Sequence, residues 1–325
     1  MSFSNEDLVT YRAINNSAAL NNGGRMSENI SISSSRGNIF PDISDTERAT
    51  GSTLWRKLFW INKNDNNLSF RTPSAIMTQY TPGNDWVMMC LGTQSDTQID
   101  IQNTTRFYGA AKLKNTVSTG ASTFTVTLED ASMGIFATND SIRISNALIS
   151  EVHHNVSITR NGVDVDITLA EADSVVNIYN SNETTVSSIL PTGDLVTSYD
   201  TLNVISSSGI LDYSNHDIEL FNAGTLYQNW TIKFYSPTQF TLSGDTLGFI
   251  MLGSTSEDFI PLNGTVPYCI LYKEIWQGSW NINDEVKFRT LPAAIALWFK
   301  RVVPSGSSTT YNNFKHIIRG QATTQ

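Results

Sequence analysis

Asn161-Gly162 stands between two alternating runs, Val156-Ser-Ile-Thr-Arg160 and Val163-Asp-Val-Asp-Ile-Thr-Leu169. Both central positions of a type I′ turn need positive φ, so this dipeptide is a strong hairpin signal. The same texture recurs along the chain. Phe124-Thr-Val-Thr-Leu128, Ile142-Arg-Ile-Ser145, Trp230-Thr-Ile-Lys-Phe234, Gln239-Phe-Thr-Leu242 and Val286-Lys-Phe-Arg289 all read as short strands. Ala75–Tyr80 and Asp85–Leu91 flank Thr81-Pro-Gly-Asn84, a good turn. Turn signals return every ~8–12 residues, the spacing of sandwiches and barrels rather than of βαβ units.

These signals predict a mainly β protein: a β-sandwich or barrel-like body with an inserted β subdomain and an extended N-terminal arm. The arm spans residues 1–60 and includes one short helix signal, Ser44-Asp-Thr-Glu47, a capping box. The main body takes residues 61–115 and 201–325, and the inserted subdomain residues 116–200. Trp55–Ile61 is ambiguous between helix and strand, because Leu54, Leu58 and Ile61 also fit one helical face.

Composition narrows the function classes. Charged residues make up 16% of the chain, against roughly 25% in a typical soluble domain. Ser, Thr and Asn together supply 103 of the 325 residues. A surface built on hydroxyls and amides is typical of β-rich secreted or virion proteins and unusual for a cytosolic metabolic enzyme. A net charge of −9 argues against nucleic-acid binding, which draws on clustered Lys and Arg. No stretch approaches the ~20 apolar residues of a membrane span. The first residues, Met1–Asp7, have neither the basic nor the apolar region of a secretory signal, so synthesis in a cytoplasm is expected. Cys90 and Cys269 lie in apolar runs and are expected as buried free thiols.

No constellation of catalytic residues emerges, so no enzyme activity and no cofactor or metal is predicted. His153-His154 are adjacent and point to opposite faces of a strand. Asp164 and Asp166 share a face, but alternation alone explains them. His216-Asp217 could supply a base and its orienter, yet among 37 serines some Ser falls at any chosen spacing. The chain has no Gly-x-Ser-x-Gly elbow and no phosphate-binding glycine motif. Trp276-Gln-Gly-Ser-Trp280 is a candidate glycan platform through Trp276 and Trp280, with core packing as the alternative. Residues 15–38 are too poor in apolar groups to order alone. Ile30, Ile32, Ile39, Phe40, Trp55, Phe59 and Trp60 are therefore candidate assembly contacts that seat the arm on a neighbour.

Two groups of short motifs carry a resemblance. The first comprises Gly23-Gly-Arg-Met-Ser27, Asn38-Ile-Phe-Pro-Asp-Ile-Ser44, Glu47-Arg48 and Trp55-Arg-Lys-Leu-Phe59. The second comprises Asp284-Glu-Val-Lys-Phe-Arg-Thr290, Ala294–Val303, Pro304 and Lys315-His-Ile-Ile-Arg-Gly320. Together they resemble virion structural proteins of tailed bacteriophages, and the middle of the chain contributes nothing to the likeness. The resemblance implies a multi-copy component of the neck or collar at the head–tail junction. Its partners would be copies of itself and portal, connector or tail proteins. A baseplate or tail-fibre-associated protein, with a host glycan as ligand, is the alternative. It implies localisation in the virion after synthesis in the host cytoplasm and names no catalytic residue.

Overall fold

The computed structural model describes residues 3–31, 37–308 and 313–323. Strand accounts for 49% and helix for 5%, so the protein is mainly β, and the named ladders are antiparallel.

The first sheet is built on a long central pair. Strand β3 (Ser52–Asn62) runs beside Ala294–Val303 in continuous register from Ala294 opposite Ile61 to Val303 opposite Ser52. Both faces of this pair are covered. Leu58, Leu297 and Phe299 enter one core, while Trp55 and Trp298 enter another. Burial on two faces removes the polar alternation that marks a half-exposed strand, which explains the ambiguity of Trp55–Ile61.

Strands β1 (Leu8–Asn15) and β2 (Gly23–Ile30) complete one side of this sheet, in the order β2-β1-β3. The N-terminal segment is thus an integral hairpin on the chain's own body, where the composition predicts an extended arm. Backbone pairing supplies what its apolar content lacks, from Leu8 opposite Asn62 to Arg12 opposite Leu58. Buried polar groups add to it. Arg56 donates to the Ser17 carbonyl at 2.7 Å, and Asn22 Nδ2 to the Trp55 carbonyl at 2.8 Å. Gly23 has φ 101°, and a Cβ there would sit 2.5 Å from the Trp298 ring, so no larger residue fits. The predicted capping box forms: Ser44 N donates to Glu47 at 2.8 Å and Glu47 N to Ser44 Oγ at 3.2 Å, opening the six-residue helix α1 (Asp45–Thr50).

The second sheet has nine strands. Its path runs Ser157–Asn161, Asp164–Thr168, Thr123–Thr127, Ala110–Leu113, Thr185–Pro191, β4 (Ser69–Gln79) and Lys315–Thr323. Ile142–Ser145 and Ser150–His153 extend it on the other side of Thr185–Pro191. The strands between residues 110 and 191 curl around Phe124, Val126, Ile142, Ile144, Val165 and Ile167. Trp55, Met88 and Trp298 of the first sheet pack into the same cluster. The predicted inserted subdomain therefore shares its core with the body.

The region with a core of its own lies elsewhere. Residues 198–291 carry a five-stranded sheet in the order Ser198–Ile205, Glu285–Leu291, Gln228–Phe234, Gln239–Gly244 and Gly248–Ser254. One face packs on a cluster of Trp230, Phe234, Phe240, Phe259, Trp276 and Phe288. This core contains only residues from this stretch. Arg25 of β2 reaches across to it, donating through Nη1 and Nη2 to the two carboxylate oxygens of Asp245 at 3.0 and 2.7 Å and lying 4.5 Å over the Tyr227 ring. That contact holds the Asp245 carboxyl down at about 2, with the Arg25 hydrogen bond as the main cause.

Candidate assembly surfaces and a groove on the large sheet

The residues predicted to seat an arm on a neighbour have mostly found partners within the chain. Trp55 and Phe59 are buried. Phe40 is buried beside Phe299 and Leu297, with Arg301 5.0 Å over its ring. Ile39 and Trp60 pack on the same core, and Trp60 meets the His316 ring edge-on at 5.7 Å. Ile32 lies outside the described residues. Ile30, at the end of edge strand β2, is 53% exposed and remains available to a partner.

Trp276 and Trp280 do not form a sugar platform. Trp280 stacks on Phe234 at 4.5 Å, Trp276 meets Trp280 at 5.6 Å, and both indoles are buried. A ring in van der Waals contact on both sides has no face left for a pyranose. The spacing of the two tryptophans suits core and surface equally, and only their neighbours from Phe234 and Phe240 decide it.

Large apolar side chains reach solvent at a different place. Gly248–Ser254 is the last strand of the 198–291 sheet and, among the described residues, is paired on one side only. Phe249 is 63% exposed and Leu252 56%, opposite Ser243 and Thr241 on the outward face. The run Leu247-Gly-Phe-Ile-Met-Leu-Gly253 contains no charge and no proline. Monomeric proteins usually protect such an edge with Lys, Pro or a covering loop. Edge position is set by pairing that the local sequence pattern of this run does not encode.

A groove of about 520 Å³ crosses the outer face of the nine-stranded sheet. Ser74 and Ile76 of β4, Ile189, Ser141, His154 and Arg319 are among its lining. These side chains come from four distant stretches, joined by the pairing of Thr185–Pro191 with β4 and of β4 with Lys315–Thr323. Ser141 Oγ lies 2.7 Å from His154 Nδ1. Among the described residues no carboxylate holds the other His154 nitrogen, so the pair is a hydrogen-bonding array rather than an oriented triad. Asp140, the acidic side chain of the lining, is held by Arg106 at 2.7 and 2.6 Å and by the Ala137 amide at 2.8 Å.

The remaining candidates form local pairs. Asp164 accepts from Lys114 at 2.6 Å and Thr127 at 3.0 Å, and Asp166 from Thr125 at 2.6 Å, as on any hydrogen-bonded sheet face. His153 is buried with Nδ1 2.8 Å from Asp173. Asp217 accepts from Tyr199 at 2.5 Å. Among the described residues no group of three or more His, Cys, Asp or Glu could hold a metal ion. Cys90 and Cys269 are free and buried, and burial pushes both thiols up to about 12. No described helix is long and apolar enough to cross a membrane.

The chain matches no protein-family model, no curated protein and no solved structure.

Proposed function

We propose that this protein is a structural component of a tailed-bacteriophage particle, present in several copies at the neck or collar and acting through protein–protein assembly. The observation that carries the reading is the unprotected apolar edge Gly248–Ser254, with Phe249 and Leu252 directed to solvent. A second copy adding to this edge satisfies a row of backbone donors and acceptors and sets its own side chains beside Phe249 and Leu252 on the outward face, each cross-strand pair worth ~0.2–1 kcal/mol. In a ring, each such contact is repeated around the axis. The terminal motifs that resemble virion structural proteins support the same reading, as does the low-charge, hydroxyl- and amide-rich sequence. Ile30 on the β2 edge offers a further contact for a portal, connector or tail protein.

Averaged images of the intact particle test this. Rotationally symmetric density for the chain at the head–tail junction is the expected result. Density at the baseplate or fibre would transfer the protein to that position, and absence from the particle would end the proposal.

A further inference from the structure

The chain contains three Asn-Gly dipeptides, Asn22-Gly23, Asn161-Gly162 and Asn263-Gly264. Glycine after asparagine leaves its backbone nitrogen uncrowded, because no Cβ stands beside it. That nitrogen can attack the side-chain carbonyl carbon of the asparagine, a reaction that makes asparagine thermally labile. The structure treats the three pairs differently. Asn22 is fully buried, and its Nδ2 donates to the Trp55 carbonyl at 2.8 Å and to Gln98 Oε1 at 3.3 Å. Asn263 is half-buried, and its Nδ2 donates to the Gly224 carbonyl at 2.9 Å. Both side chains must break hydrogen bonds before they can turn onto the next amide.

Asn161 has no such tether. It and Gly162 are exposed, and among the described residues neither the Asn161 side chain nor the Gly162 amide makes a hydrogen bond. Asn161 ends strand Ser157–Asn161 and pairs with Asp164 across the turn. Attack requires this last backbone pair to open, and its position favours opening. Among the described residues the strand is paired only with Asp164–Thr168, so the turn stands at a sheet edge, where local opening costs least. A Cβ on Gly162 would meet nothing within 4 Å, so no neighbour packs over the reacting residues there.

We propose that Asn161 is a site of spontaneous deamidation, a modification that ages the folded protein at this one Asn-Gly pair. The Gly162 nitrogen attacks Asn161 Cγ, and the new C–N bond closes a cyclic succinimide. The Cγ–Nδ2 bond breaks, and ammonia leaves carrying the Gly162 amide proton. Water then opens the ring at either carbonyl, giving aspartate or the β-linked isoaspartate. The net change consumes one water and releases one ammonia, with no oxidant, reductant or enzyme. The new carboxylate stands opposite Asp164 and adds a negative charge to a chain whose net charge is −9. This inference is independent of the assembly reading.

Incubation of the full chain in mildly alkaline buffer, native and in parallel unfolded in guanidinium chloride, is the test, with peptide mapping by mass spectrometry at all three pairs. The native rate divided by the unfolded rate isolates the effect of structure from that of sequence. This ratio should be highest at Asn161 and at least about fivefold above that at Asn263, the factor that one net hydrogen bond is worth, while Asn22 stays intact in the native chain. A more acidic species should also build up on anion exchange and be missing from Asn161→Ser, a change at an exposed side chain without contacts to lose. A native chain in which Asn161 does not convert, a ratio at Asn161 no higher than at Asn263, or an acidic species that persists in Asn161→Ser overturns the proposal.

Discussion

Asp96→Ala should destabilise the first sheet by about 3–5 kcal/mol, the cost of stranding a buried charge by removing its partner. Lys57 has a fully buried side chain, and its Nζ lies 2.6 Å from Asp96 Oδ1. The same ammonium donates to the Gly24 carbonyl at 2.7 Å and to the Asp96 carbonyl at 2.9 Å, so it ties the loop before α2 (Gln98–Ile101) to the start of β2. The substitution leaves two neutral carbonyls to solvate a full charge, and it removes the acceptor of Trp298 Nε1 at 3.2 Å. Burial already lowers the Lys57 pKa, with Asp96 acting against that shift, so losing Asp96 drives the lysine further toward its neutral form. Lys57→Met combined with Asp96→Ala removes the charge altogether and should recover about 2 kcal/mol of the loss. Urea unfolding measures both variants, and hydrogen exchange shows whether protection is lost first across residues 16–30. A loss below about 1 kcal/mol for Asp96→Ala, or strict additivity in the double variant, would refute the reasoning.

Deleting residues 1–31 removes β1 and β2 and uncovers Phe59 and Ile61, so the truncated chain should aggregate or melt well below the full chain; an unchanged melting temperature would mean the hairpin is dispensable. His316 Nε2 is buried without a partner and burial pushes its pKa down to about 4, while the unfolded chain takes up that proton near 6.5. Its neutral form is thus the folded one, and stability should fall by about 3 kcal/mol as pH drops from about 6.5 to about 4, a slope that His316→Phe should reduce in pH-dependent urea titrations. Trp276→Ala and Trp280→Ala should each cost about 3–5 kcal/mol in thermal or urea unfolding, the signature of core residues rather than of a dispensable surface platform.

Local signals in the sequence were legible where one residue pair or one face decides the outcome. The predicted hairpin forms, but its turn is shifted by one residue. Asn161 pairs with Asp164, and the two central residues are Gly162, at φ 65°, and Val163, so one positive φ rather than two is needed. Ser44–Glu47 makes its cap. What depends on partners far along the chain was not legible. The polar strands β1 and β2 look like an unanchored tail because β3, which orders them, follows some forty residues after β1 begins. Residues 198–291 carry 15 of the chain's 33 aromatic residues, yet that density alone does not say that they close on one another rather than on the rest of the body, which depends on strand pairing. The groove joins β4, the region around Ser141, Ile189 and Arg319, so no window of sequence contains it. Phe249 and Leu252 are exposed because they stand on the outward face of the sheet, opposite Ser243 and Thr241, and the face each takes is set by a pairing register that the local pattern does not encode.

Sedimentation velocity over a wide concentration range, comparing the full chain with Leu252→Lys, addresses assembly through the Gly248–Ser254 edge directly. The full chain should sediment as a multimer of defined size, and Leu252→Lys, exposed and free of core contacts to lose, as a folded monomer. A full chain that stays monomeric at every concentration, or a Leu252→Lys variant that assembles just as well, would contradict assembly through this edge.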